Sequence, residues 1–440
     1  MKNDRTDRQG KGVCALYRKA LRNTAYLLLA YALYAALCAL FFYRYTMDVP
    51  ELMQGTAADP RTFMDGQLWS QSVEYSRIRN WLYFLLLPLD WIIFMLVLIW
   101  GNFAKWGDRI AKKFPFQPLA ISIYVALLLA VVFLVKLPLS FYAYRLAVHY
   151  DISIQQPLAW LKDRLISFSL EWLLYTLALV LIVVVVQRTR HWWFWSWLFF
   201  APAILFYTFI QPVWIDPLYH KFSHLQDSEL ETKILNLAEE AGIHTDRVYT
   251  VNMSEKSNAF NAYVNGIGPS LRIVLWDTLL ERMDDDEILF IMAHEIGHYQ
   301  MKHLYWSTLG FVLGALLLLF LGSRLFPYLL QRKGKEWGIK TLGHVSCVPL
   351  ILLVFSLFMF LVQPFANAIS RQAEHRADHY ALQLTQNPEA AVSAFQNMAR
   401  ASKSDVHPPA LVKWIRYGHP TLAERIFFAI HYDSHSDVEP

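Results

Sequence analysis

His294 and His298 stand four residues apart, with Glu295 directly after the first. On a helix, positions i and i+4 share a face, so both imidazoles can point at one ion. Zinc binds His nitrogens at about 2.0–2.1 Å and accepts a carboxylate as third ligand. Glu295 is placed to act as base toward water at such an ion. The alternative is a solvated His/Glu helix surface. It fits poorly, because the motif follows the apolar stretch Ile288–Ala293 and runs into a long apolar segment.

A catalytic zinc needs a third protein ligand and an open fourth position. The best-placed carboxylates lie in Ser370–Asp378. Glu374 and Asp378 are again four apart and share a helical face. Glu374 is the expected third ligand. Asp378 is expected to accept a hydrogen bond from a ligand histidine and fix its tautomer. Taken alone, the stretch reads equally as an exposed charged helix. His375 and His379 flank that face and read as surface histidines; His303 reads as packing near a membrane boundary. Cys14, Cys38 and Cys347 match no metal or disulfide spacing.

The elements that must position these groups are unusual. Of 440 residues, 55% are hydrophobic and 17% charged, against about 25% charged in soluble domains; mean hydropathy is +0.27. The excess falls into about seven runs near the length that spans a bilayer. These are Thr24–Phe42, Trp81–Trp100, Leu119–Leu137, Ile166–Val186, Trp193–Val213, Leu309–Phe326 and Cys347–Val362, the third continuing apolar to Tyr144. The first has no small-residue cleavage site and does not read as a signal peptide.

Lys and Arg crowd Met1–Asn23, Phe103–Pro118, Gln187–His191 and Arg324–Lys340. The positive-inside rule assigns these to the cytoplasm and the metal-bearing segments to the other side. The net charge of +4 says little by itself; no nucleic-acid partner is expected.

Between the fifth and sixth runs the texture becomes water-compatible. Ser228 and Glu231 form a capping-box pattern opening an amphipathic helix with Leu230, Ile234, Leu237 and Ala238 on one face, stopped by Gly242. Val248–Asn252, Ala259–Val264 and Leu271–Trp276 have strand character. Asp284 and Glu287 form a second capping box, opening the helix that carries His294. After two more runs the chain is water-compatible again from Gln363. The expected division is 1–213, tail and five spans; 214–304, first part of a split metal-bearing domain; 305–366, two spans; and 367–440, its second part.

His294-Glu295-x-x-His298 followed by Asn367-x-x-Ser370-Arg371-x-x-Glu374-x-x-Ala377-Asp378 resembles the membrane zinc metallopeptidases of the CAAX prenyl protease 1 type. The bacterial HtpX protease is a more distant relative. The resemblance extends over Pro212–Leu225, Ser257-x-x-x-Asn261-Ala262-Tyr263, Arg272–Leu279 and His419-Pro420-x-x-x-x-Arg425. It implies one zinc on His294, His298 and Glu374, with Glu295 as general base. It also implies that His419 steadies the oxyanion with Arg425 in support, and that Asn261 and Ala262 pair with substrate backbone on a sheet edge. Ala259 and Phe260 replace the histidine and serine usual before Asn-Ala-Tyr.

The fold implied is mainly α: a multi-pass membrane protein of about seven helices forming a barrel around a wet chamber. A split gluzincin-type domain with a small β-sheet closes one end. Asp90, Glu171 and Lys136 within the spans fit a wet interior, although Lys136 can instead snorkel. The expected activity is zinc endopeptidase on extended peptide segments, prenylated or not, at a lipid bilayer. Unprenylated substrates point to membrane-protein quality control or exported-peptide processing. Eukaryotic members face the cytosol, opposite to the charge reading here. A reading of another class is a transporter or receptor with a structural zinc.

Overall fold

The computed structural model describes residues 2–45, 48–266 and 271–432. Met1, the tail 433–440 and the side chains of Cys14, Pro212 and Val213 lie outside the described residues. The longer helices are α1 (Lys2–Arg44), α2 (Gly66–Leu86), α3 (Leu89–Trp100), α4 (Asn102–Lys113), α5 (Gln117–His149), α6 (Pro157–Arg188), α7 (Trp192–Ile210), α8 (Ser228–Glu240), α9 (Asp285–Gln300), α10 (His303–Trp337), α11 (Val348–Thr385), α12 (Pro388–Ser402), α13 (Ala410–Arg416) and α14 (Leu422–Ile430).

Among the described residues, six helical stretches are long and apolar enough to cross a membrane: Tyr17–Arg44, Gly66–Trp100, α5, α6, α10 and Val345–Thr385. The expected fifth run forms α7 and passes into a π-helical turn, Gln211–Ile215. Several helices overrun their apolar stretch, because intrahelical hydrogen bonding does not end at a hydrocarbon boundary. This matters most in α11. Its 38 residues carry the chain from the span directly to Glu374 and Asp378. The second run is divided at Leu87-Pro88 between α2 and α3, since proline has no N–H to continue the ladder. Lys136 does not snorkel: it sits mid-helix in α5, with Nζ 2.6 Å from Asp90 Oδ1 on α3.

The two ends of the bundle are built differently. At the basic end, Trp337, Ile339, Leu342, Val345 and Cys347 join a buried apolar cluster with α3, α5, α6 and α11. Gln187 and Gln117 donate to the Gly343 carbonyl there, at 2.5 and 3.3 Å.

At the opposite end lies a four-stranded sheet, β1 (Phe222–His224), β2 (Val248–Val251), β3 (Ala262–Asn265) and β4 (Arg272–Trp276), in the order β1-β2-β4-β3. β2 and β4 run parallel and the other pairs antiparallel, with Val248 opposite Ile273 and Ala262 opposite Leu275. Ile273, Val274 and Leu275 are all fully buried, so both faces of β4 are covered. Ile273 and Leu275 pack on α8 and α9; Val274 packs on Val251 and Met253.

Two local expectations are corrected, and one strand is new. The α8 cap is Asp227, whose carboxylate accepts from the Glu229 and Leu230 N–H groups, so Ser228 is already helical. The third strand starts at Ala262 rather than Ala259, whose carbonyl is taken by Thr278 Oγ1 at 2.7 Å. β1 has no strand signal of its own and forms by pairing with β2. Gly242 ends α8 with φ +73, and the Asp284/Glu287 capping box forms in full.

Candidate metal centre

α9 presents His294 and His298 because its other face is core: Ile288, Met292 and Ile296 are almost wholly buried under the sheet and α12. Gly297 lies between the two histidines and lets α11 approach. A side chain there would meet Tyr380 Cδ1 at 2.9 Å. That closeness brings Glu374, on α11, to the histidine pair.

His294 Nε2 is 3.1 Å from His298 Nε2. Glu374 Oε2 is 3.3 Å from His294 Nε2, and Glu374 Oε1 is 3.4 Å from His298 Nε2. A tetrahedral ion with bonds of about 2.0–2.1 Å requires ligand–ligand edges of about 3.3–3.4 Å. All three atoms lie within 4.8 Å of one another. Glu374 Oε2 is buried and has no hydrogen-bond donor. Its approaches to His294 and to His419 Nδ1, the latter at 2.8 Å, are close without hydrogen-bond geometry. A buried carboxylate oxygen without a donor is costly, and a cation in the triangle would satisfy it. The residues fit a tetrahedral divalent metal with one open position.

Asp378 is buried behind His294, with Oδ1 2.9 Å from Nδ1. Arg425 forks onto the same carboxylate, Nε to Oδ2 at 2.8 Å and Nη2 to Oδ1 at 2.5 Å. His294 Nδ1 donates to Asp378, so the 3.3 Å approach of Arg425 Nη2 to that nitrogen is not a hydrogen bond. Burial disfavours charge on His294, yet the neighbouring Asp378 and Glu374 carboxylates hold its pKa up to about 9. The centre therefore carries surplus negative potential. Burial also raises the Glu295 carboxyl, against the pull of His294 and His298.

Every residue singled out from the sequence has a definite place. His294, His298, Glu374, Asp378 and Arg425 converge, and Glu295 sits within the same electrostatic cluster. Arg425 anchors Asp378. His419 is 63% exposed at the rim. Asn261 and Ala262 open β3, an edge strand of the sheet, with the Asn261 carbonyl turned to Trp276 N–H at 3.0 Å. His375 is exposed and stacks on Phe428.

Other contacts were hidden in the sequence. The stretch Glu51–Met64, between the first two apolar runs, packs Met53, Ala58 and Phe63 into the core beneath α9. Gln396 bonds to the Ala57 carbonyl and Arg400 to that of Phe63. The segment leading to His419 is strapped on both sides. Arg416 bonds Asn80 and Ser76 bonds the Lys403 carbonyl, both from α2. Asn367 and Arg371 of α11 bond the carbonyls of Ile415 and Tyr417 at 2.9 and 2.7 Å. His303 Nδ1 lies 2.8 Å from His298 Nδ1; it packs on the centre rather than merely near the membrane. Its only signal in the sequence was a third histidine soon after the motif.

Residues 224–431 match the peptidase family M48 model, and residues 30–221 match that of the CAAX prenyl protease N-terminal region, described as five membrane helices. The chain is 43% identical over 404 residues to the uncharacterized metalloprotease YhfN of Bacillus subtilis, covering 90% of this chain and 94% of that one. It is 32% identical over 330 residues to CAAX prenyl protease 1 of Saccharomyces cerevisiae, covering 69% and 70%. The crystal structure of S. mikatae Ste24p shares the fold, with a TM-score of 0.73 over 93% of this chain and 98% of that one at 24% identity. Together with the helical bundle and the His/Glu cluster, these matches make the chain a multi-pass membrane metallopeptidase belonging to peptidase family M48, among the CAAX prenyl protease 1 relatives.

Proposed function

We propose that this protein is a zinc endopeptidase that hydrolyses extended peptide segments at one end of its membrane bundle. The carrying observation is the 3.1–3.4 Å triangle of His294 Nε2, His298 Nε2 and Glu374 oxygens. Two imidazoles, one carboxylate and an open position are the ligand set of a catalytic zinc. A structural zinc, as in a transporter or receptor, is closed by four protein ligands; this cluster offers three among the described residues. The chain divides as 1–213, 214–304, 305–366 and 367–440, the second and fourth segments forming the split peptidase unit.

His294, His298 and Glu374 would hold the zinc, with Asp378 and Arg425 fixing the first histidine. When bound, zinc supplies a Lewis acid that polarises the scissile carbonyl and acidifies water. Glu295 takes a proton from the attacking water as its oxygen bonds to the carbonyl carbon. Glu295 then delivers that proton to the amine nitrogen as the C–N bond breaks. Its half-buried carboxylate, made more basic by desolvation, suits this role. His419 donates a hydrogen bond to the carbonyl oxygen as negative charge develops there. Asn261 and Ala262 line the free edge of β3, where an extended peptide adds as a further strand. The bundle encloses a wet chamber, consistent with the Asp90–Lys136 pair inside the spans.

Prenylated C-terminal peptides are one substrate class, by likeness to the yeast relative. A second class, unprenylated segments of exported or membrane proteins, is favoured by charge. The basic loops at the end away from the metal support, by the positive-inside rule, a peptidase unit on the non-cytoplasmic side. The test is cleavage of a prenylated peptide against its unmodified twin, with Glu295→Gln as control. That variant is expected to keep one zinc per chain and lose at least about 10³-fold in turnover, within the range for general acid–base groups. Undiminished cleavage by the variant would remove the mechanism.

A further inference from the structure

The two histidines on α9 are supported differently. His294 has a carboxylate on its far nitrogen, Asp378 at 2.9 Å. His298 has an imidazole there: His303 Nδ1 lies 2.8 Å from His298 Nδ1, with the ring planes at 69°. This contact needs a break in the helix. On an uninterrupted helix, positions 298 and 303 do not share a face. α9 ends at Gln300, Lys302 adopts a left-handed conformation with φ +57 and ψ 33, and α10 begins at His303. A non-glycine residue in that region is uncommon; here it swings the His303 ring back onto His298.

Two nitrogens at that distance share a single proton. If His303 donates it, the single proton of neutral His298 sits on Nε2, which faces His294 Nε2 and Glu374 Oε1. If His298 donates it, Nε2 offers a free lone pair to the triangle. Only the second arrangement leaves His298 able to bind a cation. It requires His303 to be a neutral acceptor.

We propose that His303 is a positioning residue, whose Nδ1 accepts the His298 Nδ1 proton and so fixes the tautomer and ring orientation of the second metal ligand. The proposal rests on the zinc-centre reading above. It makes the turn at Met301-Lys302 part of the site and ties the first residue of a membrane helix to the metal.

The test uses the full chain purified in detergent micelles, with zinc affinity measured by competition against a chromophoric chelator. His303→Phe keeps a ring and removes the acceptor; zinc affinity is expected to fall by about 10- to 100-fold. His303→Asn restores an acceptor oxygen near the place of Nδ1 and is expected to recover most of that loss. His303→Ala carries the same expectation as phenylalanine should that variant not fold. Wild-type affinity in His303→Phe would overturn the proposal, as would an asparagine variant as weak as phenylalanine. His294→Ala, run in parallel, separates the two readings. Zinc retained there sinks the metal centre itself, whereas zinc lost there leaves the His303 result to stand or fall alone.

Discussion

The two ends of the bundle solve opposite problems. At the basic end the connections are held by apolar packing around Trp337, Ile339, Leu342 and Cys347 and by amide donors on one carbonyl. At the metal end the core is threaded with buried polar groups: His294, Glu374, Asp378, Arg425, Glu287 and Asp405 are all under 9% exposed. Each must be paired, because an uncompensated buried charge costs several kcal/mol. Glu287 shows the pattern away from the metal. It closes the α9 capping box and also accepts from Asn397 at 2.7 Å. The apolar end holds its shape mainly by fit. The metal end holds its shape only while its charges match, which is the condition a catalytic centre needs to keep an open coordination position.

This contrast can be broken at three points. The largest effect is expected from Arg425→Ala, which removes the guanidinium that forks onto the buried Asp378 carboxylate. It should cost about 3–5 kcal/mol, and adding Asp378→Asn should return part of it. Denaturant unfolding of the zinc-free protein in micelles measures both. Costs that simply add would mean the pair is not coupled.

Next in size is Ile339→Ala at the basic end. It should cost about 2–4 kcal/mol as a cavity substitution, with no change in zinc affinity or in the pH dependence of stability. A shift in zinc affinity would show that the ends are not independent.

The third point is Asp405, in the strap before His419. Burial pushes its carboxyl up to about 7, against the His407 N–H and Arg79. Its folded pKa lies above the ordinary value, so the folded state holds the proton more tightly. This contribution to stability is complete below about pH 4 and is lost as pH rises through about 7. Asp405→Asn should flatten that fall, by about 4 kcal/mol at most given 1.36 kcal/mol per pH unit. Thermal unfolding of both proteins from pH 5 to 8 reads the difference. An unchanged slope would show that Asp405 is ionised throughout.

The same contrast explains what the sequence could reveal. The α9 motif, its Asp284 cap and the Glu374/Asp378 pair were legible because helical spacing and capping are local. The apolar runs were legible because bilayer thickness sets a length. The strap was not: Arg416 meets Asn80 across more than three hundred residues, and periodicity carries no such pairing. The packing of Ala58 and Phe63 under α9 was hidden for the same reason. His303 was hidden by a backbone turn at Lys302, a residue type that gives no warning of φ above zero. Asp227 took the cap expected of Ser228 because both residues can cap, and neighbours one position apart compete.

The central claim is that a carboxylate near the far end of the last membrane-crossing helix, α11, completes a site begun before the preceding one. Zinc stoichiometry of the purified chain and of Glu374→Ala tests it most directly. The account predicts one zinc per chain in the wild type and nearly none in the variant, with the fold retained. A Glu374→Ala protein that still carries one tightly held zinc would contradict it.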